Sequence, residues 1–370
     1  MVGVLRHRER GEGHSRGSTK WRGVPTVVRF CGLRCLVVVG LAFGCGGKAI
    51  GTGDTPNGIG QGGTPNGTNE PPVCLAQPGV NQIYQQPSIT GIALAGDSVI
   101  VTGLDIARIP LSGGTPVTIA QPSGPYGLLV LGGEAYFTVG NALYSVPISG
   151  GDPIWLLDSP PPMYSSAADE TSLYFQGIPW GILKLTPPST TGTELALDAN
   201  LGINAIAPYG DNVYVAASDP STSSGVIERV PKAGGPAQRL VSGLGLLGSF
   251  VADATGLCWS EDPLVGYGPG RVAHAALDGT QMTTVLSHGA RSLAVLDGDL
   301  YFASNTSTQV ETIGMVPRGG GNTVVIASGA RTPGMLRVTG FTVVWVDPSV
   351  KAMSDSTPMS VMTACVPATQ

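Results

Sequence analysis

Histidine and charged residues are both scarce in this sequence. Only four of its 370 residues are His, and 12% are Asp, Glu, Lys or Arg. Beyond residue 44 only His274 and His288 remain. That part of the chain contains no HExxH motif, no GxSxG motif and no Cys/His cluster with zinc spacing, which argues against the commonest metalloprotease, hydrolase and zinc-site chemistries. No residue is therefore predicted to be catalytic or to bind a metal.

Basic residues are rare outside the N-terminal segment. Of the 20 Lys and Arg residues eight lie within residues 1–34, but only two of the 25 Asp and Glu residues do, Glu9 and Glu12. From residue 35 onward 12 basic and 23 acidic residues remain, a net charge of −11. A domain this acidic repels phosphate backbones, so nucleic acid is not expected as a partner.

Long apolar runs are also absent, and the one run near the N-terminus has the form of an export signal. Ten residues, Cys35–Gly44, follow the basic leader. They are too few to span a bilayer but fit the core of a signal peptide, predicted over residues 1–44. The sequence LAFGC, ending at Cys45, resembles a bacterial lipobox, which implies that Cys45 carries lipid. Ordinary cleavage or an uncleaved signal anchor is the alternative.

Residues 45–72 are predicted to be a linker that tethers the folded domain. They are rich in Gly, Pro and Asn, contain TPNG twice and show no apolar periodicity. Such a segment buries too little apolar surface to offset its chain entropy, so we expect it to be disordered. The sequence thus predicts an exported lipoprotein anchored to a membrane of the bacterial envelope, with a folded domain over residues 73–370.

Turn-forming residues, by contrast, are abundant, and they recur with a period. The chain has 55 Gly and 30 Pro, a balance that favours many short strands over helices. From about residue 86 one unit recurs along the chain. It consists of an apolar strand, an aromatic or β-branched strand, a third strand, a Gly-Gly hairpin and a fourth strand. One anchor per copy was chosen in the second strand: Val101, Tyr136, Tyr174, Tyr214, Trp259, Tyr301 and Trp345.

The spacing of these anchors predicts the fold. Successive anchors are 35, 38, 40, 45, 42 and 44 residues apart, enough for four short strands with turns, the size of a propeller blade. We expect an all-β protein, a β-propeller of seven four-stranded blades, with six or eight blades as alternatives. Such a ring is expected to be a monomer.

A family resemblance supports this fold. The units around LCWSED (257–262) and VVWVD (343–347) resemble the YWTD repeats of propellers and the looser repeats of TolB-like and NHL-like propellers. No copy has an intact YWTD tetrapeptide. In YWTD repeats the equivalent Asp bridges neighbouring blades, which implies a structural role for Asp105, Asp219, Asp262 and Asp347. In gluconolactonase-like and paraoxonase-like propellers a ring of carboxylates at this end binds Ca²⁺, the alternative for the same residues.

Three cysteines lie beyond Cys45. A propeller brings its first and last strands together, and an exported chain can hold a disulfide. Cys74 and Cys365 flank the repeats, so we expect them to be bridged. Cys258 lies within a strand and is expected to be a small buried hydrophobic residue.

The loops that join successive blades are where we expect a ligand. Binding residues tend to lie on longer, variable loops held by a rigid scaffold. If the topology is right, these loops meet at one mouth of the central channel, where Arg and Tyr could bind an anionic or sugar-like ligand. The predicted ligand-binding face comprises Tyr126, Tyr164, Asn204, Asp262, His288, Arg291 and Arg331. Arg291 and Arg331 are expected to be exposed, whereas Lys232 and Arg318 are expected at the opposite end, where their substitution should not affect binding.

Two functions remain open at this point. The first is a non-catalytic binding or scaffold module for an envelope protein or glycan. The second is a lactonase- or lyase-like enzyme with a cation or His288 at the channel mouth. Propellers host both classes, so fold alone does not decide.

Overall fold

The chain forms seven four-stranded antiparallel sheets. The computed structural model describes residues 74–76, 79–158, 163, 165–177, 181–198, 200–262, 270–305, 311–330, 333–348 and 358–366. Cys45, Tyr164 and Arg331 lie outside these residues. Within the described ranges no helix is long and apolar enough to cross a bilayer.

The strands follow one another blade by blade. Strand β1 is Val80–Gln86. Blade 1 contains β2 Gly91–Ala95, β3 Ser98–Thr102, β4 Ile106–Pro110 and β5 Val117–Ala120, and blade 2 contains β6 Pro125–Leu131, β7 Glu134–Val139, β8 Ala142–Pro147 and β9 Ile154–Asp158. Blade 3 contains β10 Ser166–Ala168, β11 Leu173–Gly177, β12 Gly181–Leu185 and β13 Thr193–Ala196.

Blades 4 to 6 have the same order. Blade 4 contains β14 Gly202–Tyr209, β15 Asn212–Asp219, β16 Ser224–Pro231 and β17 Gln238–Leu244. Blade 5 contains β18 Leu246–Asp253, β19 Gly256–Asp262, β20 Arg271–Ala275 and β21 Thr283–Leu286, and blade 6 contains β22 Gly289–Leu296, β23 Asp299–Asn305, β24 Glu311–Pro317 and β25 Val324–Ala330. The last three strands are β26 Gly334–Thr339, β27 Thr342–Pro348 and β28 Met359–Cys365.

The seventh blade joins the two ends of the repeat region. Its strand order is β26-β27-β28-β1, so the first strand of the chain completes the last blade. The first strands of neighbouring blades contact one another around the whole ring, including β26 with β2. The prediction of a seven-bladed β-propeller is confirmed.

The core is divided among the blade interfaces. Each of the seven described clusters of buried apolar residues lies between two adjacent blades. Strand β15 shows the cause: Val213 and Val215 face blade 3, whereas Tyr214 and Ala216 face blade 5. Because side chains alternate along a strand, a central strand that is apolar at every position fills both interfaces.

The aromatic anchors are all buried, but they do not occupy equivalent positions. Tyr214 and Tyr301 pack against the following blade, whereas Trp259 and Trp345 pack against the preceding one. Counted from the hairpin that precedes each strand, the equivalent of Tyr214 in blade 5 is Cys258, which is buried against blade 6. In blade 1 the anchor Val101 likewise packs against the preceding blade, and Ile100 packs against the following one. The sequence-based alignment was therefore one residue out of register in blades 1, 5 and 7.

Because consecutive strands of each blade run antiparallel, the loops between them lie alternately at two ends of the ring. Loops after the second and fourth strands lie at one end, here called the upper end, and the hairpins after the first and third strands lie at the lower end. Cys74 and Cys365 form a disulfide there, beside the start of β1 and the end of β28. The Leu75 backbone N–H also donates to Thr342 Oγ1 at 2.9 Å. The described chain thus begins and closes its ring at the lower end.

Candidate functional site

Three of the predicted site residues lie together at the upper end of blades 5 and 6. Asp262 ends β19, His288 precedes β22, and Arg291 lies near the start of β22. The structure adds three residues that the sequence analysis had not selected: Glu261, Arg271 and Glu311. We call these six residues the mouth cluster.

Arg271 is held by a buried glutamate of its own blade. It begins β20 directly opposite Glu261 of β19, and its Nε donates to Glu261 Oε1. The arginine side chain is 38% exposed, whereas that of Glu261 is 8% exposed. Glu261 Oε2 also accepts from the Gly245 backbone N–H at 3.0 Å. Among the described residues the Arg271 Nη atoms have no partner, so they can donate to a ligand.

Arg291 is held in the same way in blade 6. Its Nε and Nη2 atoms donate to Glu311 Oε1 at 3.3 and 3.1 Å, and Nε also lies 3.2 Å from Oε2. As in the Arg271–Glu261 pair, the arginine side chain is the more exposed partner: 38% of the Arg291 side chain is exposed, but only 7% of that of Glu311. A nearly buried carboxylate that binds a half-exposed guanidinium fixes the orientation of its fork.

Asp262 lies against the backbone where blades 5 and 6 meet. A Cβ atom placed on Gly270 would lie 2.7 Å from Asp262 Oδ1, and one placed on Gly289 would lie 3.2 Å from it. Asp262 is exposed at the end of its strand, but partial desolvation by its surroundings raises its pKa, and the nearby positive charge of Arg291 only partly opposes that effect. Its carboxylate makes no hydrogen bond to any described residue.

His288 presents one ring nitrogen at the same edge. Its Nδ1 lies 3.0 Å from the Gly289 carbonyl oxygen, which can only accept, so Nδ1 carries the proton and Nε2 is the acceptor in the neutral ring. The ring is tilted over Phe302 at 5.6 Å between centroids.

Two other predicted residues lie elsewhere on the ring. The Asn204 side-chain amide donates to Ser218 Oγ at 2.9 Å and to the Leu247 carbonyl at 3.2 Å. It therefore links blades 4 and 5. Tyr126 belongs to β6 of blade 2, three blades from blade 6. The structure thus groups Asp262, His288 and Arg291 but neither Asn204 nor Tyr126 with them.

Two of the recurring acids after the second strands, Asp105 and Asp219, have local bonds. Asp105 accepts from Thr118 Oγ1 at 3.0 Å, and Asp219 accepts from the Ser221 backbone N–H at 2.9 Å. Within the described part of the chain no group of three or more His, Cys, Asp or Glu side chains could hold a metal ion. Asp105 and Asp219 thus each bind a residue of their own blade.

The central channel is tightly packed next to blades 1 to 3. Met163, Met335 and Arg337 line a cavity of about 10 Å³ with Gly91, Gly127 and Ser166, room for no more than one water molecule. Gly127 has a φ of +65°, and a Cβ there would lie 2.6 Å from that of Met163.

The cationic side chains Lys232 and Arg318 of the lower end form ion pairs between neighbouring blades. Lys232 Nζ of blade 4 lies 2.6 Å from Asp169 Oδ2 of blade 3, and Arg318 of blade 6 pairs with Asp253 of blade 5. Only 4% of the Arg318 side chain is exposed. Lys232 and Arg318 therefore lie at the lower end, where each fills the space between the hairpins of two neighbouring blades.

Comparison with known proteins gives the fold and little more. No protein-family model and no curated protein matches the chain. An oligogalacturonate lyase in complex with manganese superposes with a TM-score of 0.56 over 79% of this chain and 99% of its own, at 11% identity. A puromycin-hydrolyzing peptidase from Mycobacterium tuberculosis gives 0.57 over 78% of this chain and 52% of its own, at 14% identity.

A third structure is a propeller by description. The β-propeller domain of the Trilobed protease from Pyrococcus furiosus, described as having an open velcro topology, gives a TM-score of 0.55 over 70% of this chain and 90% of its own, at 13% identity. All three likenesses are below 25% identity, so they show a shared fold alone. This chain is a β-propeller.

The three residues that sequence analysis missed had a signal. Glu261 ends a second strand and Arg271 begins the third strand of the same repeat, while Arg291 and Glu311 lie in the first and third strands of the next. In a meander these positions share one end. Opposite charges at strand ends within one repeat would have identified both pairs.

Proposed function

We propose that this propeller is a non-catalytic binding module of the bacterial envelope, which binds a glycan or a protein through the mouth cluster. It acts as an exported monomer anchored through a lipid on Cys45, needs no cofactor, and does not bind nucleic acid. The observation that carries the proposal is the contrast between the two ends. Upper-end Arg271 and Arg291 are half exposed on buried glutamates, whereas lower-end Arg318 is buried between blades.

The position of the chain's described start supports this use. Cys74 and the closing strand β1 begin at the lower end. A tether that enters at the lower end leaves the upper end facing away from its anchor. As a flexible coil the 28 residues 45–72 would reach roughly 30 Å.

The test removes both arginines together with their partners. The variant E261Q/R271Q/E311Q/R291Q replaces two ion pairs by neutral side chains of similar length, so that no buried charge is left alone. Binding to an envelope glycan panel and to separated envelope proteins should weaken at least about tenfold, since hydrogen bonds to charged groups contribute about 1.5–3 kcal/mol each.

Arg108→Gln is the matched control, because Arg108 lies in β4 of blade 1 on the other side of the ring. Its binding should equal that of the wild type. If Arg108→Gln reduces binding and the quadruple variant does not, the mouth cluster is not the binding surface.

A lactonase- or lyase-like activity is the second candidate. It is favoured by two residues on either side of Gly289: His288 precedes it and has an Nε2 atom that can accept a proton, and Asp262, whose pKa is raised by desolvation, has its Oδ1 against Gly289. In a lyase, His288 would remove the proton next to a carboxylate and Asp262 would protonate the leaving oxygen, with the arginines neutralising the carboxylate. Loss of turnover in both His288→Gln and Asp262→Asn, measured by NMR on lactones and uronides, would replace the binding proposal.

A further inference from the structure

The mouth cluster contains one more carboxylate than its ion pairs use. Glu261 neutralises Arg271, and Glu311 neutralises Arg291. Asp262 is the fifth charge, with no hydrogen-bond donor among the described residues. An anion that approaches the exposed Arg291 guanidinium group therefore also meets a carboxylate that has no ion-pair partner among the described residues.

The backbone keeps Asp262 at this position. Gly270 and Gly289 approach each other so closely that a Cβ on Gly270 would lie 3.1 Å from the Gly289 Cα, and Asp262 Oδ1 lies against both residues. Arg271 follows Gly270 directly, and Arg291 is two residues after Gly289. The contact between blades thus brings the two arginine-bearing strands and the carboxylate to one place.

We infer that the mouth cluster is a proton-linked binding site for a carboxylate: the ligand binds to Arg291 when the neighbouring Asp262 holds a proton. This inference rests on the proposed function of the same surface. Ionised Asp262 repels the ligand, whereas the protonated carboxyl group loses its charge and becomes an O–H donor. Above the pKa of Asp262, binding takes up one proton from solution onto its carboxylate.

The other ionisable groups around Asp262 come from four places. Glu261 precedes it on β19, Arg271 begins β20, His288 and Arg291 flank the start of β22, and Glu311 begins β24. Both glutamates accept a hydrogen bond from an arginine. Desolvation already raises the pKa of Asp262 in the absence of ligand, and we therefore assign the linked proton to Asp262.

The charge of the domain narrows the class of ligand. From residue 35 onward the net charge is −11, so densely charged polyanions are repelled at long range. A planar guanidinium fork matches the two oxygens of a carboxylate. The ligand that satisfies both conditions is a glycan with an isolated uronate on an otherwise uncharged scaffold.

The experiment is calorimetric titration of the purified full-length protein with a disaccharide that ends in one uronate, over a series of pH values. Its methyl ester, inorganic phosphate and a peptide with one carboxylate are the other probes. We expect uronate affinity to fall by up to about tenfold for each pH unit above the pKa of Asp262. Buffers of different ionisation enthalpy should reveal the uptake of about one proton, and the methyl ester should not bind.

The decisive variant is Asp262→Asn, with Asp152→Asn, an exposed carboxylate in a lower hairpin, as matched control. Asp262→Asn should bind the uronate more tightly than the wild type at neutral pH and show no proton uptake, while Asp152→Asn should behave as the wild type. An unchanged pH slope in Asp262→Asn overturns the proton linkage and leaves the proposed function to its own test.

The remaining outcomes decide the ligand. If the peptide or phosphate binds as tightly as the uronate, or if the uronate does not bind at any pH, the assignment to an acidic glycan is wrong. Binding of the methyl ester with unchanged affinity would also overturn it.

Discussion

Individual carboxylates in this ring differ in how many hydrogen-bond donors surround them. At the lower end Asp169 accepts from the Thr171 and Ser172 backbone N–H groups, each at 2.8 Å, and from Tyr174 Oη at 2.8 Å. Lys232 adds a charge from the next blade at 2.6 Å. These groups saturate one carboxylate, which therefore joins blades 3 and 4. At the upper end Asp262 lacks such donors among the described residues.

Asp169 should therefore stabilise the protein only where it is charged. Burial alone would raise the pKa of Asp169, but the bonds from Lys232, Thr171, Tyr174 and Ser172 outweigh burial and lower it. Because the folded pKa lies below the ordinary value of about 3.9, the stabilisation is complete above that value and is lost as the pH falls below it.

The prediction is that Asp169→Asn lowers the free energy of unfolding by about 2 kcal/mol near neutral pH. In urea titrations the difference from the wild type should shrink as the pH is lowered through about 4 towards 2. Asp152→Asn, which removes an exposed carboxylate, should change stability little at either pH. A difference that stays constant down to the lowest pH would contradict the charged role of Asp169.

At the scale of strands, polar side chains of the inner strands connect one blade with the next. The Ser249 hydroxyl of β18 accepts from the Leu293 backbone N–H of β22 at 2.9 Å. The Ser292 hydroxyl of β22 accepts from the Leu336 backbone N–H of β26 at the same distance. Irregular pairing near the start of β18, β22 and β26 leaves these N–H groups available, and the hydroxyls satisfy them.

The strand that closes the ring depends on one partner. β1 pairs with β28 from Val80 opposite Ala364 to Gln86 opposite Met359, and it is the edge of its sheet. An edge strand lies at the low end of local stability. The Cys74–Cys365 disulfide joins the two strands at the end from which β1 would separate first.

We predict that the double variant Cys74→Ser/Cys365→Ser loses about 2–5 kcal/mol of stability, because the bridge closes a long loop of the unfolded chain. Hydrogen exchange in β1 and β28 should accelerate first, and exchange in blades 3 and 4 should stay close to that of the wild type. Chemical reduction of the wild-type protein is the matched control and should reproduce the effect. Equal acceleration in every blade would show that the disulfide does not specifically hold the closing strand.

At the scale of the whole molecule, the two ends of the ring differ in how their charged side chains are paired. The lower end holds the disulfide and the ion pairs between hairpins. The upper end holds the half-exposed arginines of the mouth cluster. Anchorage from the lower end and binding at the upper end are compatible because neither uses residues of the other.

Anchorage itself is testable at Cys45. We predict that Cys45→Ala moves the protein from the membrane fraction into the soluble fraction, because a lipid attached to this residue is proposed to be the anchor. Cys35→Ala, ten residues earlier in the same leader, should leave the distribution unchanged. Membrane retention of Cys45→Ala with an intact leader would favour a signal anchor instead.

Part of this protein could be predicted from the sequence because it depends on local patterns. Turn residues and apolar strands recur at about 40 residues, and each copy can form one blade from its own chain. The number of blades and the pairing of Cys74 with Cys365 followed from counting and from ring closure. The register of the strands was harder to predict. The alignment placed Trp259 at the position that Cys258 occupies, and a shift of one residue moves a side chain to the other face of the sheet.

The mouth cluster was determined only by the tertiary structure. Glu261 and Arg271 lie ten residues apart, Arg291 and Glu311 twenty, and each pair meets because an antiparallel blade returns the chain to the same end. The contact of Asp262 with Gly270 and Gly289 requires two blades to pack. Burial of Arg318 also depends on a neighbouring blade. The sequence by itself determines a ring of seven similar units, because each blade is a local repeat. Which charges pair and which stay exposed depends on contacts between units.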